Sequence, residues 1–207
     1  LLIHDDIIDQ DDMRRGKPSF HTQYELFPVD VYNHRDVEHF GKSVAILAGD
    51  ILSSIAYDLI ARADLPQSVR LAIVEHSNRM LFETGAGEIL DVLNDISDEA
   101  SRAHLLKVHL LKTCKYSFYS PLIIGATAAG ASRRQLELLE SFALPVGVAY
   151  QLHDDLLGLF GDEEAIGKPV FSDLRQGKQT LLMIEARERG SAQQKTPAAR
   201  RRCRSLT

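Results

Sequence analysis

The chain has 207 residues, of which 44% are hydrophobic and 26% charged, enough for one substantial core of ordinary globular composition. A formal net charge of −5 excludes a general nucleic-acid binder, because phosphate backbones demand a basic surface. Two distant cysteines, Cys114 and Cys203, exclude a disulfide framework and favour a reducing, cytosolic compartment.

The first element is Leu2-Ile3-His4-Asp5-Asp6-Ile7-Ile8-Asp9, an apolar helical pattern carrying carboxylates, which stops at Gly16 and Pro18. It opens in mid-pattern at Leu1 with no initiator Met or signal peptide, as if cut inside a helix. Residues Gly16 to Asn33 read as a loop. Val44, Leu47, Ile51, Ile55 and Leu59 then recur at helical spacing, with small residues between them that permit close helix approach. Pro66 starts a helix to about Leu93. Ser97-Asp98-Glu99-Ala100 resembles the N-terminus of the next helix, which includes Leu105, Val108, Leu111 and Lys112 and is kinked or ended by Pro121. The longest uncharged run, Tyr116 to Ser132, is too polar for a membrane span. A long helix from Arg133 to Phe160, bent near Pro145, precedes a loop from Gly161 to Ser172. No sustained alternation signals a strand. The expected fold is an all-α bundle of long helices, with one helical domain over 1–190 and a basic, disordered tail over 191–207.

On a helix, Asp5 and Asp9 lie one turn apart, about 6 Å along the axis, and share a face. Their repulsion becomes coordination if a divalent cation such as magnesium, which prefers oxygen ligands, sits between them. A second acidic cluster, Gln151-Leu152-His153-Asp154-Asp155, offers further carboxylates. Cations follow both clusters: Arg14 and Arg15 after the first, then Gly167-Lys168-Pro169 and Gly177-Lys178-Gln179-Thr180 after the second. Lys112-Thr113 stands in an otherwise apolar helix. Either cluster alone reads more readily as a solvated helix end, and any one lysine more often as a snorkelling surface residue. Their joint arrangement predicts a site for metal ions and a diphosphate.

The ordered set resembles the trans-isoprenyl diphosphate synthases, the polyprenyl synthetase family. Asp5-Asp6-Ile7-Ile8-Asp9 with Arg14-Arg15-Gly16 is similar to the family's first aspartate-rich motif. Gln151 through Asp155, then Gly167-Lys168, Asp173 and Gly177 through Thr180, are similar to the second motif and its downstream lysines. Ala48-Gly49-Asp50, Gly87-Glu88-Ile89-Leu90-Asp91 and Lys112-Thr113 fall between them in family order.

The resemblance implies an isoprenoid-synthase-type bundle and magnesium-dependent condensation of isopentenyl diphosphate with an allylic diphosphate. Asp5 and Asp9 would ligate two magnesium ions and Asp154 a third, with manganese as an alternative ion. Arg14, Lys112, Thr113, Gln151, Lys168 and Lys178 would hold the allylic diphosphate, and Arg15 isopentenyl diphosphate. Asp5, Asp9, Lys112 and Asp154 would form the catalytic group, while His4 and His153 read as structural. Leu1, four residues before Asp5, is not aromatic, and the first motif has no two-residue insertion. Both features favour a product of geranylgeranyl length. A cytoplasmic homodimer without a stable membrane span is implied as well.

Departures from the family pattern are Gly158, where many relatives carry a third Asp, and Glu88, where Gln is common. The family's upstream Gly-Lys-Arg stretch and its C-terminal helices are absent, so the chain reads as truncated at both ends. Two alternatives remain. A class I terpene cyclase needs an Asn/Asp-x-x-Ser-x-x-x-Glu pattern that Asp154 to Asp162 does not offer, and an inactive partner subunit usually lacks the intact first motif seen here.

Overall fold

The computed structural model describes residues 1–25, 36–95, 101–162 and 178–191, and these are helical almost throughout, as expected. They fall into two compact units, one within 1–64 and one within 65–191. Residues 192–207, which hold the expected basic tail, lie outside the described set.

In the first unit, α1 (Leu2–Ile8) ends at Asp9, whose backbone N–H donates to the Asp5 carbonyl at 2.8 Å. Strands β1 (Met13–Arg14) and β2 (Lys17–Pro18) then pair antiparallel, with Arg14 opposite Lys17. Arg15 and Gly16 join them at φ values of 54° and 72°, the mirror-image turn whose twist suits a hairpin. The sequence predicts only a loop here. A ladder of two residues leaves no alternation to read, and Arg replaces the Asn or Asp usual at the first left-handed position. Helix α2 (Phe20–Glu25) also lies within that expected loop, while residues 26–33 lie outside the described set. The Tyr24 ring of α2 lies tilted against Phe20, centroids 5.2 Å apart, and edge-on to Phe40 of α3 (Val37–Arg62), at 6.4 Å.

Asp36 caps α3 by accepting from the His39 N–H. Gly41, Ala45 and Gly49 form a buried stripe along it at four-residue spacing. The His4 ring lies against Gly49, where a Cβ would stand 2.4 Å from Nε2, and His4 Nε2 donates to the Ile46 carbonyl at 3.0 Å. Small residues therefore admit α1, as the spacing predicts. Elsewhere α3 is apolar and open: Leu47, Ile51 and Leu59 are 61%, 60% and 66% exposed. By length and composition α3 is apolar enough to cross a membrane, a feature hidden from a search for uncharged runs by Asp50 and Asp58.

In the second unit, α4 (Gln67–Asp95) begins just past Pro66. Ser101 caps α5 (Arg102–Val108), whereas the sequence points to a start at Ser97; residues 96–100 lie outside the described set. An 11-residue π-helix, His109–Tyr119, follows without a break. It gives way to α6 (Ser120–Ala128), with Pro121 in the first turn, where a missing N–H is tolerated. Helix α7 (Arg133–Phe160) has the expected bounds, starts with a Ser132–Gln135 capping box and runs through Pro145. Thr180 caps α8 (Leu181–Arg189). Leu181 and Ile184 of α8 are buried with Leu105 of α5, and Leu152 of α7 packs on them. Two glycines make room for the π-helix. A Cβ on Gly87 of α4 would stand 2.5 Å from the Lys112 backbone nitrogen, and one on Gly147 of α7 would stand 2.8 Å from the Cys114 Cβ.

Candidate functional site

The first acidic motif divides its work. Asp6 turns inward, 3% exposed, and accepts from Arg14 Nε at 2.5 Å. Arg14 Nη2 also donates to Asp5 Oδ2 at 3.0 Å. Burial raises the Asp6 carboxyl above the usual carboxylate range, and the Arg14 bond and charge draw it back only partly. Burial opposes the Arg14 charge too, but the hydrogen bond and charge of Asp6 outweigh it and raise the guanidinium pKa. Asp5 and Asp9 stand one helical turn apart and are half-buried. With Asp6 matched to Arg14, Asp5 and Asp9 form an all-oxygen donor pair of the kind a hard cation such as magnesium takes. Arg14, expected on a phosphate, is held by the motif itself, whereas Arg15 is exposed at the hairpin tip.

In the second unit the π-helix supplies two of the expected residues. Lys112 Nζ donates to Glu88 Oε1 at 3.1 Å and to Asp91 Oδ2 at 2.8 Å, so two carboxylates of α4 aim it. Thr113 Oγ1 donates to Gln151 Oε1 at 2.8 Å, and Gln151 Nε2 donates to Asp155 Oδ1 at 3.0 Å. Asp155 is buried, with His109 Nε2 at 3.8 Å from its Oδ2. Burial lowers the His109 pKa below 6.5, while Asp155 and Asp91 work the other way. Asp154 is exposed and has no ion-pair partner among the described residues, so its oxygens also suit a hard cation.

The structure thus gathers Asp5, Asp9 and Arg14 in one cluster, and Lys112, Thr113 and Gln151 in the other. Lys178 is half-buried, two residues before the Thr180 cap; Lys168 lies outside the described residues. Sequence reasoning missed His109 as a partner of the second motif. Its one signal is its place four residues before Thr113, one turn away on the same helix.

The sequence profile of the polyprenyl synthetase family matches residues 1–202. The chain belongs to the polyprenyl synthetase family. It is 35% identical over 189 residues to a geranylgeranyl diphosphate synthase of Sulfolobus acidocaldarius, a match covering 90% of this chain and 52% of the relative. It is 39% identical over 186 residues to a farnesyl diphosphate synthase of Geobacillus stearothermophilus, covering 86% and 57%. The fold is similar to a crystal structure of geranylgeranyl pyrophosphate synthase from Corynebacterium glutamicum complexed with isoprenyl diphosphate and magnesium. There the TM-score is 0.88 at 37% identity, covering 99% of this chain and 57% of that one. This polyprenyl synthetase chain spans about half the length of the curated relatives it matches.

Proposed function

We propose that the protein is a magnesium-dependent prenyltransferase that condenses isopentenyl diphosphate with an allylic diphosphate and makes geranylgeranyl diphosphate. The observation that carries this reading is the intact first motif on a chain of this family: Asp5 and Asp9 one helical turn apart, beside a hairpin that displays Arg15. Product length rests on the non-aromatic Leu1 and the uninterrupted first motif, while relatives are named for farnesyl, geranylgeranyl and longer products.

Asp5, Asp9 and Asp154 are the ligands for three magnesium ions in this proposal. Bound magnesium supplies the positive charge against which an allylic diphosphate departs. Arg14, Lys112, Thr113, Gln151, Lys168 and Lys178 hold that diphosphate, and Arg15 holds isopentenyl diphosphate. The allylic C–O bond breaks with its electrons on the diphosphate, the isopentenyl double bond attacks the allylic carbon, and the proton lost goes to the departing diphosphate. Neither histidine flanking the motifs is assigned as a base in this reading: His4 is engaged with the Ile46 carbonyl, and His153 stands exposed on α7. Residues 1–190 act as the catalytic domain with 191–207 as an appendage, in a cytoplasmic homodimer whose mating surface is the open apolar face of α3.

The test incubates the purified protein with labelled isopentenyl diphosphate, farnesyl diphosphate and magnesium, and separates the products by chain length. A geranylgeranyl product that chelator abolishes is the expected result. Farnesyl diphosphate left unextended overturns the product, and no incorporation with any allylic primer overturns the activity.

A further inference from the structure

We propose that Asp155 is a positioning residue that sets the flip of the Gln151 amide, so that Gln151 presents an N–H, and never its carbonyl oxygen, to an allylic diphosphate. The inference rests on the function proposed above and assigns a task to the motif carboxylate that ligates no metal in it.

An ionised carboxylate only accepts hydrogen bonds, and Asp155 Oδ1 stands 3.0 Å from the Gln151 amide. Only the NH2 group can face it there; the opposite flip would set two acceptors against each other in a buried place, where an unmade bond is costly. Asp155 is 7% exposed, with His109 beside its other oxygen at 3.8 Å. Once the NH2 faces Asp155, Oε1 must face Thr113, whose hydroxyl donates to it at 2.8 Å. A hydroxyl has one proton, so Thr113 is left with lone pairs only, and its part in holding the diphosphate is exerted through Gln151. The donor that remains for an anion in this chain of three side chains is the second N–H of Gln151. Without the negative charge at Asp155 the amide can turn, and it then offers an acceptor to a diphosphate that needs donors.

The test uses the purified protein, farnesyl and isopentenyl diphosphates, and selective ¹⁵N labelling of glutamine, with Gln151→Leu to identify the Gln151 side-chain resonance. Asp155→Asn is expected to raise KM for farnesyl diphosphate about tenfold, the cost of one misdirected hydrogen bond, and to leave KM for isopentenyl diphosphate within about twofold. Thr113→Val is expected to weaken farnesyl diphosphate in the wild-type background and to add little on top of Asp155→Asn, since both act through one amide. Thr113→Ser restores the wild-type value. In Asp155→Asn the Gln151 NH2 resonances move, whether or not the protein turns over. Should Asp155→Asn fail to fold, Asp155→Ser carries the same expectations. Equal rises in both KM values, multiplying effects of the two substitutions, or unmoved Gln151 resonances overturn the positioning role. A wild type that incorporates no isopentenyl diphosphate overturns the proposed function instead, and the resonances then decide the amide orientation alone.

Discussion

Two neighbouring aspartates in the first motif face opposite demands, and substitution separates them. Asp5→Ala or Asp9→Ala removes a proposed metal ligand and is expected to cost at least about 100-fold in magnesium-dependent turnover, with folding intact. Asp6→Asn takes from Arg14 the more buried of its two charged partners, leaving Asp5, and is expected to lower stability by about 2 kcal/mol in denaturant titration. A melt that tracks Asp5 rather than Asp6 would reverse this division. His109 provides a pH test. Burial holds its folded pKa below the ordinary 6.5, so the unfolded chain takes up the proton first as pH falls. Its contribution is full above about 6.5 and is lost as pH falls through the folded value. The stability gap between wild type and His109→Asn should therefore narrow from pH 7.5 to 5.5; a constant gap contradicts a neutral buried ring. At this scale the one-turn spacing of Asp5 and Asp9 was legible, because the helical period is its signal. The bonds of Arg14 to Asp6 and of Gln151 to Asp155 were not, because which of two adjacent carboxylates turns inward depends on packing.

Among the elements, the long regular helices were the most legible. Ser132 with Gln135 and the Gly161 stop bracket α7, and Pro66 marks the entry to α4. The hairpin was too short to leave a period. The π-helix was invisible for a different reason: its residues have ordinary helical propensities, and its width depends on Gly87 and Gly147 in other helices. Those glycines are the place to test it. Gly87→Ala puts a Cβ against backbone at Lys112, which cannot swing aside as a side-chain tip can. Overpacking of this kind costs about 1–3 kcal/mol, a melting shift of roughly 5 °C for a chain of this size. Turnover should fall further than stability does, since Lys112 moves with its backbone. Unchanged melting and kinetics for Gly87→Ala would show that the wide helix has slack.

For the whole protein, the open face of α3 leads to a prediction about assembly. Leu47, Ile51 and Leu59 are more than half exposed in the single chain, a larger apolar display than a soluble surface normally keeps. Leu47→Glu with Leu59→Glu should reduce the light-scattering mass from two protomers to one; a wild type that is monomeric at micromolar concentration removes the proposed homodimer. The same face raises a question about synthesis. As α3 leaves the ribosome it carries the hydrophobic length of a membrane anchor. Asp50, which stands 3.5 Å from His4 in the fold, falls at the midpoint of this 26-residue helix. A central aspartate costs about 2.5–3.5 kcal/mol on translocon insertion scales. Before it ever meets His4, Asp50 thus disfavours delivery of the nascent helix into a bilayer.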